Sequence, residues 1–143
     1  MAAYGSAATI AAAQAGTIGS QGQFANGLAA LFIACGQDAA CVAEAAVGTT
    51  RFEVTAAGLY VSVCLPSLIV GTVGGGTGTP TARECLGLMG CVGDGTAPKL
   101  AEIAAALVLA GEISINAALA SGTFVSAHAA LGRKRQPAQR RES

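Results

Sequence analysis

Between residues 51 and 65 the apolar side chains fall at every second position, while the stretches on either side repeat them at helical spacing. Phe52 and Val54 alternate with Arg51, Glu53 and Thr55, and Leu59, Val61, Val63 and Leu65 alternate with Tyr60, Ser62 and Cys64. Successive side chains of a strand point to opposite faces, so each run has one apolar face. The runs are joined by "AAG" at 56–58, a short turn with a glycine, which predicts an antiparallel hairpin. "SLIVGTV" at 67–73 reads as a third strand-like piece.

Helical patterns flank the hairpin. Leu28, Leu31, Phe32 and Cys35 stand at i, i+3, i+4 and i+7, predicting a helix over 24–35 that Gly36 can end in a left-handed cap. Asp38 is placed to cap a second, short helix over 39–47. Thr79 as N-cap with Pro80 at the first helical position starts another that ends near Gly87 or Gly90. The longest helix runs over 99–120 and is apolar nearly all round, so it is expected to be buried. A last short helix over 123–131 carries His128, the single histidine. Helices and one hairpin in this order give an α+β class, with buried helices packed on a small antiparallel sheet. Residues 1–21 read as a weakly structured lead, 22–131 as the folded body, and 132–143 as a basic tail without fixed structure.

Charge and cysteine placement exclude several functions. The body carries seven carboxylates against Arg51, Arg83 and Lys99, while five of the eight basic residues lie after residue 132. An acidic body of this kind is not a nucleic-acid binder. The five cysteines show no CxxC and no histidine at zinc spacing, so reduced, mostly buried thiols and no metal are expected. The N-terminus lacks a basic region followed by a strong apolar core. Glu102, Glu112 and Asn116 interrupt the apolar run at 100–125, which reads as a buried helix rather than a membrane span. A cytoplasmic protein is the expectation.

"GTVGGGTGTP" at 71–80 is half glycine and uncharged. It fails the dinucleotide fingerprint, with Thr79 where a third glycine belongs. It fails the P-loop pattern as well, with Thr77 where lysine belongs. Glycine serves where φ is positive or another group approaches closely, so the stretch reads either as a surface turn or as a loop with a close neighbour. Asn26, Asp38 and His128 have plain readings too: two caps and a surface histidine.

Taken together and in order, "IACGQDAA" (33–40), "GLYVSVCLPSLIVGTVGGGT" (58–77), "AGEISINAALASG" (110–122) and "SAH" (126–128) resemble the C-terminal part of the catalytic domain of 3-hydroxy-3-methylglutaryl-coenzyme A (HMG-CoA) reductase. The GQDAA form is similar to the class of eukaryotes and archaea. The resemblance covers about residues 15–133. It implies reduction of the HMG-CoA thioester to mevalonate and coenzyme A with two NADPH. It also implies roles. Asp38 would hold a lysine–glutamate hydrogen-bond network, and His128 would be the acid that protonates the departing thiolate, a task an imidazole suits near neutrality. Asn26 would orient the lysine and substrate, and Ile115 would pack on the acyl part. Val73, Gly74 and Gly75 would lie along NADPH, and Arg133 would sit near its phosphate. Gln23 stands where the family commonly has a histidine, and Lys134 where eukaryotic members carry a phosphorylated serine.

The family's glutamate and its Asp-Lys-Lys motif lie N-terminal to the region of resemblance. The expectation is therefore a C-terminal portion, inactive alone, that works as a homo-oligomer or with the missing N-terminal catalytic half. The alternative is a non-catalytic ligand-binding or interaction remnant of the fold.

Overall fold

The computed structural model describes residues 1–132, except for the side chain of Leu131. Its elements are α1 (Ala2–Gln14), α2 (Phe24–Ala34), a 3₁₀ turn (Ala39–Cys41), α3 (Val42–Ala45), β1 (Thr49–Thr55) and β2 (Gly58–Cys64). A second 3₁₀ turn (Gly75–Gly78), α4 (Pro80–Leu88), α5 (Ala97–Ala120) and α6 (Phe124–Gly132) follow. The class is α+β, as the two periodicities required.

The core forms where α2 crosses α5. Phe24, Leu28 and Phe32 lie one helical turn apart and are fully buried. They meet Ala104 and Val108 of α5, with Ala45 and Ala46 beneath them. Side chains four apart share a helix face, so each stripe is continuous. A second cluster joins Cys35, Leu86, Cys91 and Leu100 at the far end of α2. Fully burying a side chain the size of Leu or Phe contributes about 1.5–3 kcal/mol, which makes α2 the central support of the body.

The hairpin pairs Thr50 with Val63, Phe52 with Val61 and Val54 with Leu59. Val63 packs on the core, whereas Val54 at the tip is 75% exposed. The strand-like piece at 67–73 does not join, and the sheet has two strands. Within that piece, Gly71 pairs with a side chain instead, the amide of Gln37.

Three further differences from the sequence reading have physical causes. The expected weakly structured lead contains α1, an alanine-rich helix with no buried residue and no apolar face. Alanine propensity forms it without a stripe to announce it. α5 is buried on one stripe only, through Leu100, Ala104, Val108, Glu112 and Asn116, while Leu107, Ile113 and Leu119 are 38–39% exposed. By length and composition α5 is long and apolar enough to cross a membrane. The thiols are not mostly buried: Cys35 and Cys91 are, Cys41 and Cys85 are half-buried, and Cys64 is exposed.

Candidate functional site

Two clefts share the residues that the sequence singled out. The first, about 370 Å³, is lined by Gln23 and Asn26 from the start of α2, Gly111, Ser114 and Ile115 from α5, and Phe124 and His128 from α6. Asn26 does not cap α2. Gln23 occupies the cap position, and its side chain donates instead from Nε2 to the Val108 carbonyl at 3.0 Å. That leaves the exposed Asn26 amide with no hydrogen-bond partner among the described residues. Ile115 is half-buried and gives the cleft an apolar wall.

His128 is exposed on α6, and its Nδ1 lies 2.9 Å from the Phe124 carbonyl one turn back. A carbonyl only accepts, so Nδ1 carries a proton and Nε2 is the nitrogen that exchanges one. The Phe124 ring lies against the imidazole, with centroids 4.3 Å apart, which limits its rotation.

Glu112, unmarked by the sequence reading except as a charge in an apolar run, braces this cleft from below. It is 2% exposed, and its Oε1 accepts the N–H groups of Gly22 and Gln23, each at 2.7 Å. These N–H groups lie at the entrance to α2, where no earlier turn can satisfy them. Gln23 in turn presses on Gly111, where any Cβ would collide with its amide.

The second cleft, about 430 Å³, lies beyond the other end of α2. Gly36, Gln37 and Asp38 form one wall, and Gly71 with residues 73–77 forms the other. Asp38 does cap the 3₁₀ turn, its Oδ1 accepting the Ala40 N–H at 2.9 Å. The glycine loop is folded on itself by two hydroxyls: Thr77 donates to the Gly74 carbonyl at 2.6 Å and Thr79 to the Gly76 carbonyl at 2.9 Å. Thr79 therefore makes no side-chain cap for α4, although Pro80 does begin it.

The glycines of the loop have different reasons to be glycine. Gly76 lies against the backbone of Gly36, close enough that a side chain on either would strike the other. Gly74 and Gly75 have φ of 78° and 55°, and a Cβ on either would meet no protein atom. It would project into open space at the cleft instead. This is a bare strip of backbone with room beside it.

Val73, Gly74 and Gly75 are thus brought to Asp38, and Asn26 and Ile115 to His128. Asp38 and His128 are not brought together: the clefts share no lining residue and sit at opposite ends of α2. That helix of eleven residues spans about 16 Å at 1.5 Å per residue. Arg133 lies outside the described residues. Among those residues no group of three His, Cys, Asp or Glu side chains is arranged to hold a metal ion. Gln37 and Glu112 are the polar residues that the sequence reading passed over. Gln37 stood inside a quoted motif, and Glu112 showed one signal, a carboxylate in the middle of an otherwise apolar helix.

A family model described as hydroxymethylglutaryl-coenzyme A reductase matches residues 1–133. A 3-hydroxy-3-methylglutaryl-coenzyme A reductase of Aeropyrum pernix is 52% identical over 129 residues, covering 87% of this chain and 31% of the relative. One from Methanocaldococcus jannaschii is 48% identical over 124 residues, with the same coverage of each. One from Xenopus laevis is 41% identical over 129 residues, covering 83% of this chain and 15% of the relative. The chain spans about 31% of the length of these archaeal relatives. A match that takes in both clefts and every element around them shows that the chain belongs to the hydroxymethylglutaryl-coenzyme A reductase family.

Proposed function

We propose that the chain is the C-terminal portion of an HMG-CoA reductase catalytic domain, acting in the cytoplasm on HMG-CoA. In this reading the first cleft holds the thioester and the second holds NADPH. The observation that carries it is the pairing inside each cleft: Asn26, Ile115 and His128 in one, and Asp38 with the open Val73, Gly74 and Gly75 backbone in the other. Each group supports the role that the family resemblance gives it.

The second cleft fits a dinucleotide. Side-chain-free backbone at Gly74 and Gly75 allows a flat or charged ligand to approach the main chain, and a Cβ at either would fill that space. NADPH, when bound there, supplies hydride. The chain's own residues do the rest. The Ile115 wall excludes water from the acyl part, and the free Asn26 amide can donate to or accept from a carbonyl or hydroxyl. His128 delivers a proton from Nε2 while its Nδ1–H stays on the Phe124 carbonyl. Thiols ionise near pH ~8.5, so protonation of a departing thiolate by an imidazolium runs downhill near neutrality.

The separation of Asp38 from His128 bears on assembly. One reaction centre that uses both needs the Asp38 cleft of one copy to face the His128 cleft of another, which supports a homo-oligomer with shared sites. Complementation in the full-length protein tests this. Co-expressing Asp38→Asn and His128→Gln chains restores activity if the site is shared between copies. Activity no higher than that of either variant alone would count against sharing.

A second reading, a ligand-binding remnant, draws on the described lysine. Lys99 is the one lysine among residues 1–132, and its Nζ donates at 3.5 Å to the Gly90 carbonyl rather than lining either cleft. The lysine that an oxyanion needs must then come from outside these residues.

A further inference from the structure

Gln37 lies between two contacts that join the walls of the second cleft. Gly36 before it presses on Gly76, and Asp38 after it faces the glycine loop. Its side-chain amide acts as a strand neighbour would. Nε2 donates to the Gly71 carbonyl at 2.8 Å and to the Cys35 carbonyl at 3.1 Å, while Oε1 accepts the Gly71 N–H at 2.7 Å. One side chain thus satisfies both main-chain groups of Gly71. This is the segment whose sequence reads as a strand and which finds no ladder in the sheet.

The chemistry is specific to a carboxamide. It offers two N–H donors and a carbonyl acceptor on one rigid plane. A carboxylate of the same size can accept the Gly71 N–H but would set negative charge against the Gly71 and Cys35 carbonyls. A thioether of similar length can do neither. Unmet main-chain groups beside a cleft would leave the loop free to move.

We propose that Gln37 is a positioning residue: by pairing in both directions with Gly71, it fixes the Val73, Gly74 and Gly75 backbone relative to Asp38, so that one ligand can touch both walls. This rests on the reading of the second cleft as the nucleotide site, and the two can fail separately.

The test compares wild type with Gln37→Met and Gln37→Glu in the full-length protein, by amide hydrogen exchange and by NADP⁺ titration followed at the Gly74 and Gly75 amides. Gly71 is expected to exchange about tenfold faster or more in Gln37→Met, the scale of a lost hydrogen-bonded pair, and by less in Gln37→Glu, whose carboxylate can still accept the Gly71 N–H, while the Val108 amide in α5 stays protected. NADP⁺ binding is expected to weaken in the order Gln, Met, Glu. A space-filling role would leave both variants within about twofold of wild type, because all three side chains are similar in size, and that result overturns the proposal. If the glutamate variant also loses Val108 protection, the methionine variant decides: wild-type exchange at Gly71 overturns the proposal. Faster Gly71 exchange in a chain whose Gly74 and Gly75 amides ignore NADP⁺ supports the clamp and overturns the nucleotide reading.

Discussion

The backbones of Gly36 and Gly76 meet directly, with a Cβ built on Gly76 only 2.6 Å from the Gly36 carbonyl oxygen. This contact joins the Asp38 turn to the glycine loop and leaves no room for a methyl group on either side. Gly36 also has a φ of 64°, which L side chains rarely adopt. Gly36→Ala and Gly76→Ala are each expected to cost on the order of 2 kcal/mol in urea unfolding. Gly74→Ala and Gly75→Ala carry only the positive-φ strain, about 1 kcal/mol. Equal losses at all four positions would contradict the contact.

Glu112 gives a second test. Replacing it with alanine removes the charged acceptor of the Gly22 and Gln23 N–H groups at a part-buried helix entrance, with an expected loss of about 1.5–3 kcal/mol. The Glu112→Gln variant still presents a carbonyl oxygen to both, so about half of the loss or less is expected. Alanine and glutamine variants of equal stability would show that the two N–H bonds contribute little.

Capping and chemistry can be separated at Asp38. Asparagine caps about as well as aspartate, and the observed capping bond is a single contact to the Ala40 N–H. Asp38→Asn should leave the unfolding midpoint within about 0.5 kcal/mol of wild type. In the full-length protein it should damage reduction of both HMG-CoA and mevaldehyde. His128→Gln should slow the coenzyme A-releasing reduction and largely spare mevaldehyde, whose reduction makes no thiolate. Unchanged ratios between the two substrates would remove His128 from the acid role.

The thiols should react in order of exposure. Cys64 is expected to modify first with a soluble disulfide reagent, and Cys35 and Cys91 only on unfolding. Burial pushes the Cys35 thiol up, and the neighbouring Cys85 and Cys91 thiols push it further. The folded state therefore holds a proton that the unfolded state releases above about pH 8.5. The stability linked to Cys35 is fully present below that pH and is lost as pH rises toward the folded value. Urea midpoints between pH 7 and 10 should fall more in wild type than in Cys35→Ala; parallel curves would contradict this.

The exposed apolar faces of α5 lead to a last expectation. With Leu107, Ile113 and Leu119 partly exposed on a helix whose most apolar 18-residue stretch has a mean hydropathy of 1.9, the 143-residue chain should self-associate as its concentration rises. Light scattering that shows a strict monomer across a hundredfold concentration range would contradict it.

The periodicity of the sequence determined the class of this fold. Spacings of four at Phe24, Leu28 and Phe32, and of two around Phe52 and Val61, are local consequences of backbone geometry and can be read without neighbours. The motif resemblance also named Asn26, Ile115 and His128, and Asp38 with residues 73–75, and the fold gathers these along two clefts. What the sequence could not show was which partner each local element would meet. The 67–73 segment has strand patterning, yet its Gly71 pairs with the Gln37 side chain, because hydrogen-bond demand is met by whatever donor and acceptor the packing brings near. Glu112 reads as a break in an apolar helix until the chain brings residues 22 and 23, some ninety positions earlier, onto its carboxylate. Asp38 and His128 belong to one motif set, and only the rigid length of α2 decided that they stand in separate clefts.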